Sequence, residues 1–274
     1  MSHTPAAFER WDCHAHVFGP YDRYPLAAER SYTPPPATQT DYLAMLARLG
    51  MTRGVLVHPS AYGSDHSLLL DTLLACPQLR GVVVVQSADQ LPLKTLRAQG
   101  VRAARFSCRS GAGKNFAGSA SWDDLLQLAP ALADAGLHAE LWTDGQMLPE
   151  IAPRLKSLPI PVVIDHMGSI DVTQGPTSAG FNALCDLLAG GHVWVKLCAY
   201  RNLLNQPDWS VGRAFHKRLV QANPAQLVWG SDWPHLNIAT PPATDALLQL
   251  FTDWTASPDL TEQILGSNPA RLYE

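Results

Sequence analysis

Short apolar runs recur along the chain, and each ends in, or is followed by, a charged or hydrogen-bonding side chain. The runs are nearly continuous in Val, Ile and Leu rather than alternating, which is typical of parallel strands covered on both faces. This pattern predicts eight strands: Trp11–His16, Gly54–His58, Gly81–Gln86, Val101–Phe106, Leu137–Trp142, Pro161–His166, Val193–Leu197 and Leu227–Asp232.

Segments with apolar residues at helical spacing lie between these runs. The predicted helices are Asp41–Leu49, Ser67–Leu74, Leu91–Ala98, Trp122–Ala135, Pro149–Ser157, Phe181–Leu188 and Val211–Ala222. Regular alternation of strand and helix indicates parallel βαβ units, and eight of them favour closure into a (β/α)8 barrel of the α/β class. An open doubly wound sheet is the alternative, but the first strand is followed by no Gly-x-Gly-x-x-Gly turn and the chain has no phosphate loop. No repeat or linker divides the chain, so we predict a single domain over residues 1–274.

Composition narrows the class of partner. The chain has 274 residues, 46% of them hydrophobic and 16% charged, with a formal net charge of -4. Such a balance provides no basic field for nucleic acid or an anionic membrane, and no apolar stretch approaches the roughly 20 residues that span a bilayer. The start of the chain lacks the layout of a secretory signal, and the five cysteines form no Cys-x-x-Cys pair. We expect a cytoplasmic protein with a small-molecule partner, and we leave open a homo-oligomer.

Histidines and an aspartate occupy the ends of three predicted strands. In a (β/α)8 barrel the chemistry lies at the carboxyl ends of the strands. His14 and His16 are two apart and therefore share a face, and the same alternation places His166 at the end of the sixth strand and Asp232 at the end of the eighth. Paired imidazoles can bind a divalent metal or donate to a developing oxyanion. The pattern predicts that these four side chains converge in one site.

Arginines at two further strand ends indicate an anionic substrate. Arg105 and Arg109 lie at and just beyond the end of the fourth strand, and Arg201 follows the seventh. A guanidinium group can hold a carboxylate through two parallel hydrogen bonds, so we expect a substrate with one or two acid groups. The Pro-rich stretch 19–36 predicts a long loop that covers a strand end.

Several ordered motifs resemble one known group of proteins. The chain is similar to the amidohydrolase superfamily, and within it to the 2-pyrone-4,6-dicarboxylate lactonase family. The motifs are Asp-Cys-His-Ala-His-Val-Phe-Gly-Pro at 12–20, Arg-Ser-Tyr-Thr-Pro at 30–34, Asp-His-Met-Gly at 165–168, Trp-Gly-Ser-Asp-Trp-Pro-His at 229–235 and Asn-Pro-Ala-Arg-Leu-Tyr at 268–273. The likeness spans nearly the whole chain.

The resemblance implies a distorted (β/α)8 barrel that hydrolyses lactones of aromatic degradation. It implies that Asp232 is the general base for water and that His14, His16 and His166 polarise the lactone carbonyl. By the same resemblance, the carboxylate-binding residues are Arg105, Arg109 and Arg201, and the pocket is lined by Tyr32, Ser60 or Tyr62, His235 and Asn237.

Two positions depart from the family pattern. Trp142 stands where the family has a Tyr, and Ser169 stands where it has an Arg. One hydroxyl or anion contact is therefore lost, which favours a related lactone with a differently placed acid group. Trp142 either packs against a flat substrate ring or belongs to the core.

The resemblance to the close family implies that no cofactor is required. The alternative is one divalent ion, Zn or Mn, bound by His14, His16 and Asp232, with or without His166 as a further ligand. A second ion is not expected, because the fifth strand ends in Trp142 and the fourth has no Lys. Two other functions remain open: a metal-dependent hydrolase or decarboxylase of the same superfamily, and a ligand-binding barrel without catalysis.

Overall fold

The computed structural model describes residues 9–90, 92–111 and 116–274. Eight parallel strands follow one another in chain order, each hydrogen-bonded to the next. They are β1 (Trp11–Ala15), β2 (Arg53–Val57), β3 (Leu79–Val83), β4 (Val101–Cys108), β5 (His138–Thr143), β6 (Val162–Ile164), β7 (Trp194–Leu197) and β8 (Leu227–Trp229).

The sheet closes because the segment after β8 lies beside β1. The Asp232 N–H donates to the His14 carbonyl at 2.8 Å, and Ala15 and Trp233 form a parallel bridge. The predicted (β/α)8 barrel is therefore confirmed. Since all strands run in one direction, their carboxyl ends open at the same end of the barrel.

Helices surround the barrel and bury their apolar faces against the strands. They are α1 (Gln39–Arg48), α2 (Ser67–Ala75), α3 (Leu93–Ala98), α4 (Trp122–Ala135), α5 (Leu148–Leu155), α6 (Ala179–Ala189), α7 (Tyr200–Leu203), α8 (Gly212–Ala222), α9 (Thr244–Thr255), α10 (Pro258–Glu262) and α11 (Asn268–Tyr273). Thr38 and Ser121 begin α1 and α4 with reciprocal capping boxes, and α4 ends at Gly136 in the left-handed conformation. Each of the seven predicted helices has a counterpart; Leu91, the first residue of the predicted third, lies outside the described residues.

Five predicted strands, the first, second, third, sixth and eighth, end one to three residues earlier than predicted, and in the last two this affects the site. The sixth stops at Ile164 rather than His166, and the eighth stops at Trp229 rather than Asp232. In both cases the chain then enters the left-handed region, at His166 (φ 50°) and Asp232 (φ 58°). Strand alternation therefore does not orient these two side chains, although it does decide on which face the side chains within the strands lie.

The last 31 residues, which the sequence left unassigned, form α9, α10 and α11. The final helix brings Tyr273 under the barrel floor, where its buried ring stacks on Trp11 with centroids 6.1 Å apart. Its hydroxyl donates to Oε1 of Glu140 at 2.7 Å. The C-terminal segment thus closes the end of the barrel at which the strands begin, opposite their carboxyl ends.

The predicted loop over residues 19–36 contains no helix or strand, as expected. Phe18 and Ala37 pair in an antiparallel bridge at its base, which holds its two ends together. Ser31 and Tyr32 reach the cavity at the strand ends. Within the described part of the chain, every helix is too short or too polar to cross a membrane.

Candidate active site

A cavity of about 250 Å³ opens at the carboxyl ends of the strands. Its size suits a single small ring with substituents. The residues that line it include His16, Tyr32, His58, Ser60, Arg105, Phe116, Trp142, His166, Arg201, Asp232 and Asn237.

His14 in β1 and His16 just after its end stand side by side, as the alternation predicted. Their ring centroids are 5.1 Å apart, with His14 buried beneath the cavity and His16 on its wall. Nδ1 of His16 is 2.8 Å from the Val57 carbonyl oxygen. Because a carbonyl can only accept, Nδ1 carries a proton, and in the neutral ring Nε2 then presents its lone pair.

Asp232 occupies the centre of the site. Its Oδ1 lies 3.6 Å from Nε2 of both His14 and His16. Its Oδ2 accepts hydrogen bonds from the Tyr200 hydroxyl at 2.6 Å and from Nε of Arg201. Burial acts to raise the pKa of Asp232, but the Arg201 guanidinium and the neighbouring histidines outweigh it and hold the pKa well below its usual range. The carboxyl group is therefore ionised, which is the form that a general base requires.

A left-handed turn delivers His166 to the same place. Four consecutive residues, from His166 to Ser169, have φ between 41° and 69°. The His166 ring centroid comes within 4.8 Å of the His14 centroid, and its Nδ1 is buried without a hydrogen-bond partner in the described structure. Burial lowers the pKa of His166 to about 4, so the ring is neutral and keeps one N–H to donate.

The three predicted arginines are placed differently. Arg105 lines the cavity and donates from Nε to Oδ2 of Asp165 at 2.8 Å, and Arg201 lines it from the helix that follows β7. Arg109 is not among the lining residues. Its guanidinium carbon lies 4.2 Å from the centre of the Trp142 ring, which does line the cavity.

Of the remaining predicted residues, some line the cavity and one does not. Tyr32, Ser60 and Asn237 line the cavity, and the Tyr32 hydroxyl is hydrogen-bonded to the Ser60 side chain. His235 does not line it: its Nε2 pairs with the Thr244 hydroxyl at 3.0 Å. His235 therefore lies behind the site.

A buried charged network below the cavity was missed by the sequence analysis. Nζ of Lys196 lies 2.8 Å from Glu140 Oε2, 3.0 Å from Asp165 Oδ1 and 3.0 Å from His14 Nδ1, and all four side chains are fully buried. Burial acts to lower the pKa of Lys196, but the two carboxylates outweigh it and raise the pKa. Charged residues inside otherwise apolar strands were the available signal, because such residues must find a partner in the barrel.

Removing the cation from this network should destabilise the fold. We expect Lys196→Met to lower the free energy of unfolding in urea by about 3–5 kcal/mol, because it leaves buried carboxylates unpaired. The control is Arg48→Met, which removes the exposed ion pair between Arg48 and Asp245 at 3.1 Å and should cost less than about 1 kcal/mol. Equal losses in the two variants would contradict the assignment of Lys196 to a buried, charge-balancing role.

Buried histidines with no proposed catalytic role predict loss of stability in acid. Burial lowers the pKa of His58 and His138 to about 3 and that of His216 to about 4, against an ordinary value of 6.5. Between these values the unfolded chain binds more protons than the folded one, so stability falls as the pH falls. Each ring contributes about 1.4 kcal/mol per pH unit in this window. We expect Tm to drop steadily from about pH 6.5 to about pH 4.5, and His216→Gln to make the drop shallower; a flat Tm would be inconsistent with neutral buried rings.

Named relatives cover nearly the whole chain. The 4-sulfomuconolactone hydrolase of Hydrogenophaga intermedia is 33% identical over 269 residues, covering 96% of this chain and 88% of that protein. The 2-pyrone-4,6-dicarboxylate hydrolase of Comamonas testosteroni is 33% identical over 275 residues, covering 96% and 89%. A solved structure of a candidate 2-pyrone-4,6-dicarboxylic acid hydrolase from Pseudomonas putida is 30% identical, covers 98% of both chains and has a TM-score of 0.82.

The prediction that no cofactor is required is wrong. An amidohydrolase of Burkholderia multivorans with the same fold was solved with bound Zn; it is 19% identical, covers 97% of this chain and 99% of that one, and has a TM-score of 0.70. In the present chain, ligand atoms of His14, His16 and Asp232 lie within 4.8 Å of one another. Together these findings point to a metal cofactor.

The donor set fits a divalent ion. Nε2 of His14 is buried without a hydrogen-bond partner in the described structure, and Nε2 of His16 presents its lone pair. The 3.6 Å from each Nε2 to Oδ1 of Asp232 is close to the edge of a tetrahedron with Zn–ligand distances of about 2.1 Å, which is about 3.4 Å. Ligation through Nε2 requires the His14 ring proton on Nδ1, where Asp165 Oδ1 at 3.5 Å can accept it.

The family match extends over the barrel and the site together. A family model described as amidohydrolase matches residues 11–274, from the start of β1 to the end of the chain. The relatives above are hydrolases by name, and the predictions of an enzyme and of this resemblance are both confirmed. The chain belongs to the amidohydrolase family.

Proposed function

We propose that this enzyme hydrolyses a small anionic lactone. The observation that carries the proposal is the meeting of an ionised Asp232, three histidines and two arginines at one small cavity. The two named relatives at 33% identity act, by their names, on lactones that bear acid groups. A cyclic ester of this kind needs an activated water and a polarised carbonyl, and the site offers groups for both.

Asp232 is the proton acceptor in this proposal. It takes a proton from the attacking water, whose oxygen bonds to the lactone carbonyl carbon. The neutral His166 donates its N–H to the oxygen that develops negative charge. The ring C–O bond then breaks, and the departing oxygen takes the proton back from Asp232 to leave a ring-opened acid. Tyr200 and Arg201 hold Oδ2 of the carboxylate in place throughout.

His14, His16 and Asp232 are the residues that would hold a divalent ion. When bound, such an ion supplies Lewis-acid polarisation and makes water more acidic. The Val57 carbonyl orients His16, the Lys196 network lies against His14, and the Tyr200 hydroxyl holds Asp232, so residues outside the cavity support all three ligands.

Arg105 and Arg201 are the groups that would bind the substrate's acid function. Each uses its Nε on a carboxylate, Asp165 or Asp232, which fixes the direction of the guanidinium group. The terminal nitrogens of a guanidinium held in this way can still donate to an anion in the cavity. Tyr32, Ser60 and Asn237 would complete the polar lining.

A lactone screen tests the proposed function. The Zn-loaded protein is incubated with unsaturated lactones that carry one carboxylate, two carboxylates or a sulfonate. Absorbance loss and mass spectrometry then identify any product that has gained one water. We expect hydrolysis of at least one of these lactones. Binding without turnover across the panel would instead indicate a non-catalytic barrel, and release of CO2 would indicate a decarboxylase.

A further inference from the structure

We infer that Trp142 determines which lactones enter the site, by screening Arg109 from the cavity. The indole confines recognition of acid groups to Arg105 and Arg201, so the substrate edge that faces β5 and β6 carries hydrogen or alkyl groups rather than a second acid group. This inference rests on the proposed function and names the class of substrate within it.

Three contacts hold the indole in one position. Its Nε1–H donates to Oγ of Ser169 at 3.3 Å. The Phe116 ring meets it edge-on, with centroids 5.7 Å apart, and the Arg109 guanidinium carbon lies over its ring at 4.2 Å. Ser169 belongs to the left-handed turn that carries His166, so one turn positions both the indole and the histidine proposed to act in catalysis. A side chain fixed in this way is a rigid wall rather than an adaptable one.

The wall offers the substrate no free polar group. An indole has one donor and no acceptor, and here Ser169 takes that donor. A carboxylate placed against it would lose water without gaining a hydrogen bond, which is unfavourable. A C–H edge of a ring loses nothing there and gains apolar contact.

Arg109 is a cation held behind this wall. Its guanidinium stacks on the indole, its Nε is buried without a hydrogen-bond partner in the described structure, and it does not line the cavity, whereas Trp142 does. Among the described residues that line the cavity, the charged ones are two cations, Arg105 and Arg201, and one anion, Asp232. Removal of the indole would add Arg109 to that set and would provide a place for a second acid group.

A double-mutant cycle between Trp142 and Arg109 tests the inference. The probes are benzoate and isophthalate, flat rings with one and two carboxylates that contain no lactone bond. The readout is the ratio of their Kd values, measured by calorimetry on the Zn-loaded protein. We expect Trp142→Ala to shift this ratio at least about tenfold in favour of isophthalate, as a gained Arg–carboxylate contact would. The shift should vanish in Trp142→Ala/Arg109→Met.

Trp142→Phe is the matched control, because it keeps an aromatic wall and should leave the ratio close to that of the unmodified protein. Trp142→Leu replaces the alanine variant if that one fails to fold. A ratio that does not change when the indole is removed, or that changes equally with and without Arg109, would overturn the inference.

The two proposals fail in different ways. If no lactone in the panel is hydrolysed, the proposed function fails, while the double-mutant cycle still shows whether Trp142 screens Arg109 from the cavity. If lactones are hydrolysed but the ratio is insensitive to Trp142, the proposed function stands and the inference is wrong.

Discussion

Replacement of Asp232 by asparagine is expected to lower kcat by about 10²- to 10⁴-fold, the usual contribution of a positioned general base. The amide has almost the same shape as the carboxylate but cannot take a proton from water. Asparagine also tolerates the left-handed backbone that residue 232 adopts at φ 58°, so the fold should survive the change. The measurement is kcat and KM on the lactone found by the screen, together with Tm.

Asp171→Asn is the matched control for this experiment. Asp171 is exposed and caps a short turn through Thr173, a role that asparagine can also fill. The activity of the Asp171→Asn protein should match that of the unmodified protein. Because Asp232 is also assigned to the metal, the assay is run in excess Zn with the metal content measured. Near-full turnover by a metal-loaded Asp232→Asn protein would remove Asp232 as the base.

Removal of metal is expected to have the second large effect. Lewis-acid stabilisation of a reacting carbonyl is worth several kcal/mol, and about 1.4 kcal/mol corresponds to a factor of ten. Dialysis against a chelator should therefore lower kcat/KM by about 10³-fold, and added Zn should restore it. Metal analysis before and after dialysis accompanies the assay.

A pair of histidine variants makes this test specific to the site. His16→Ala removes a ligand and should weaken Zn binding by at least about tenfold. His216→Ala changes a buried histidine that contacts Thr255, away from the cavity, and should leave Zn affinity unchanged. Full activity in protein shown to be free of metal would contradict the assignment of a metal to this site.

The succession of strands and helices follows from local pattern. Helix α4 begins and ends at the predicted residues because a capping box at Ser121 and a glycine at 136 mark both of its ends. The apolar runs located all eight strands because a barrel strand must be buried on both faces. His14 and His16 were placed side by side for the same kind of reason, since neighbours two apart in a strand share a face.

Other features arise from contacts between distant segments. His166 and Asp232 reach the site through left-handed turns, so their meeting with His14 and His16 does not follow from strand alternation. Lys196 finds Glu140, Asp165 and His14 only when four strands close into a barrel. A pattern along one segment carries no information about such partners.

The chain alone determined the barrel, the order of its elements and the chemical groups at the strand ends, because burial and alternation act over a few residues. The tertiary structure decided which of those groups share one cavity. It placed Arg105 and Arg201 on the cavity wall, put Arg109 behind Trp142 and turned His235 toward Thr244. It also brought three ligand atoms close enough for a metal ion, since distances between side chains on different strands are set only when the barrel closes.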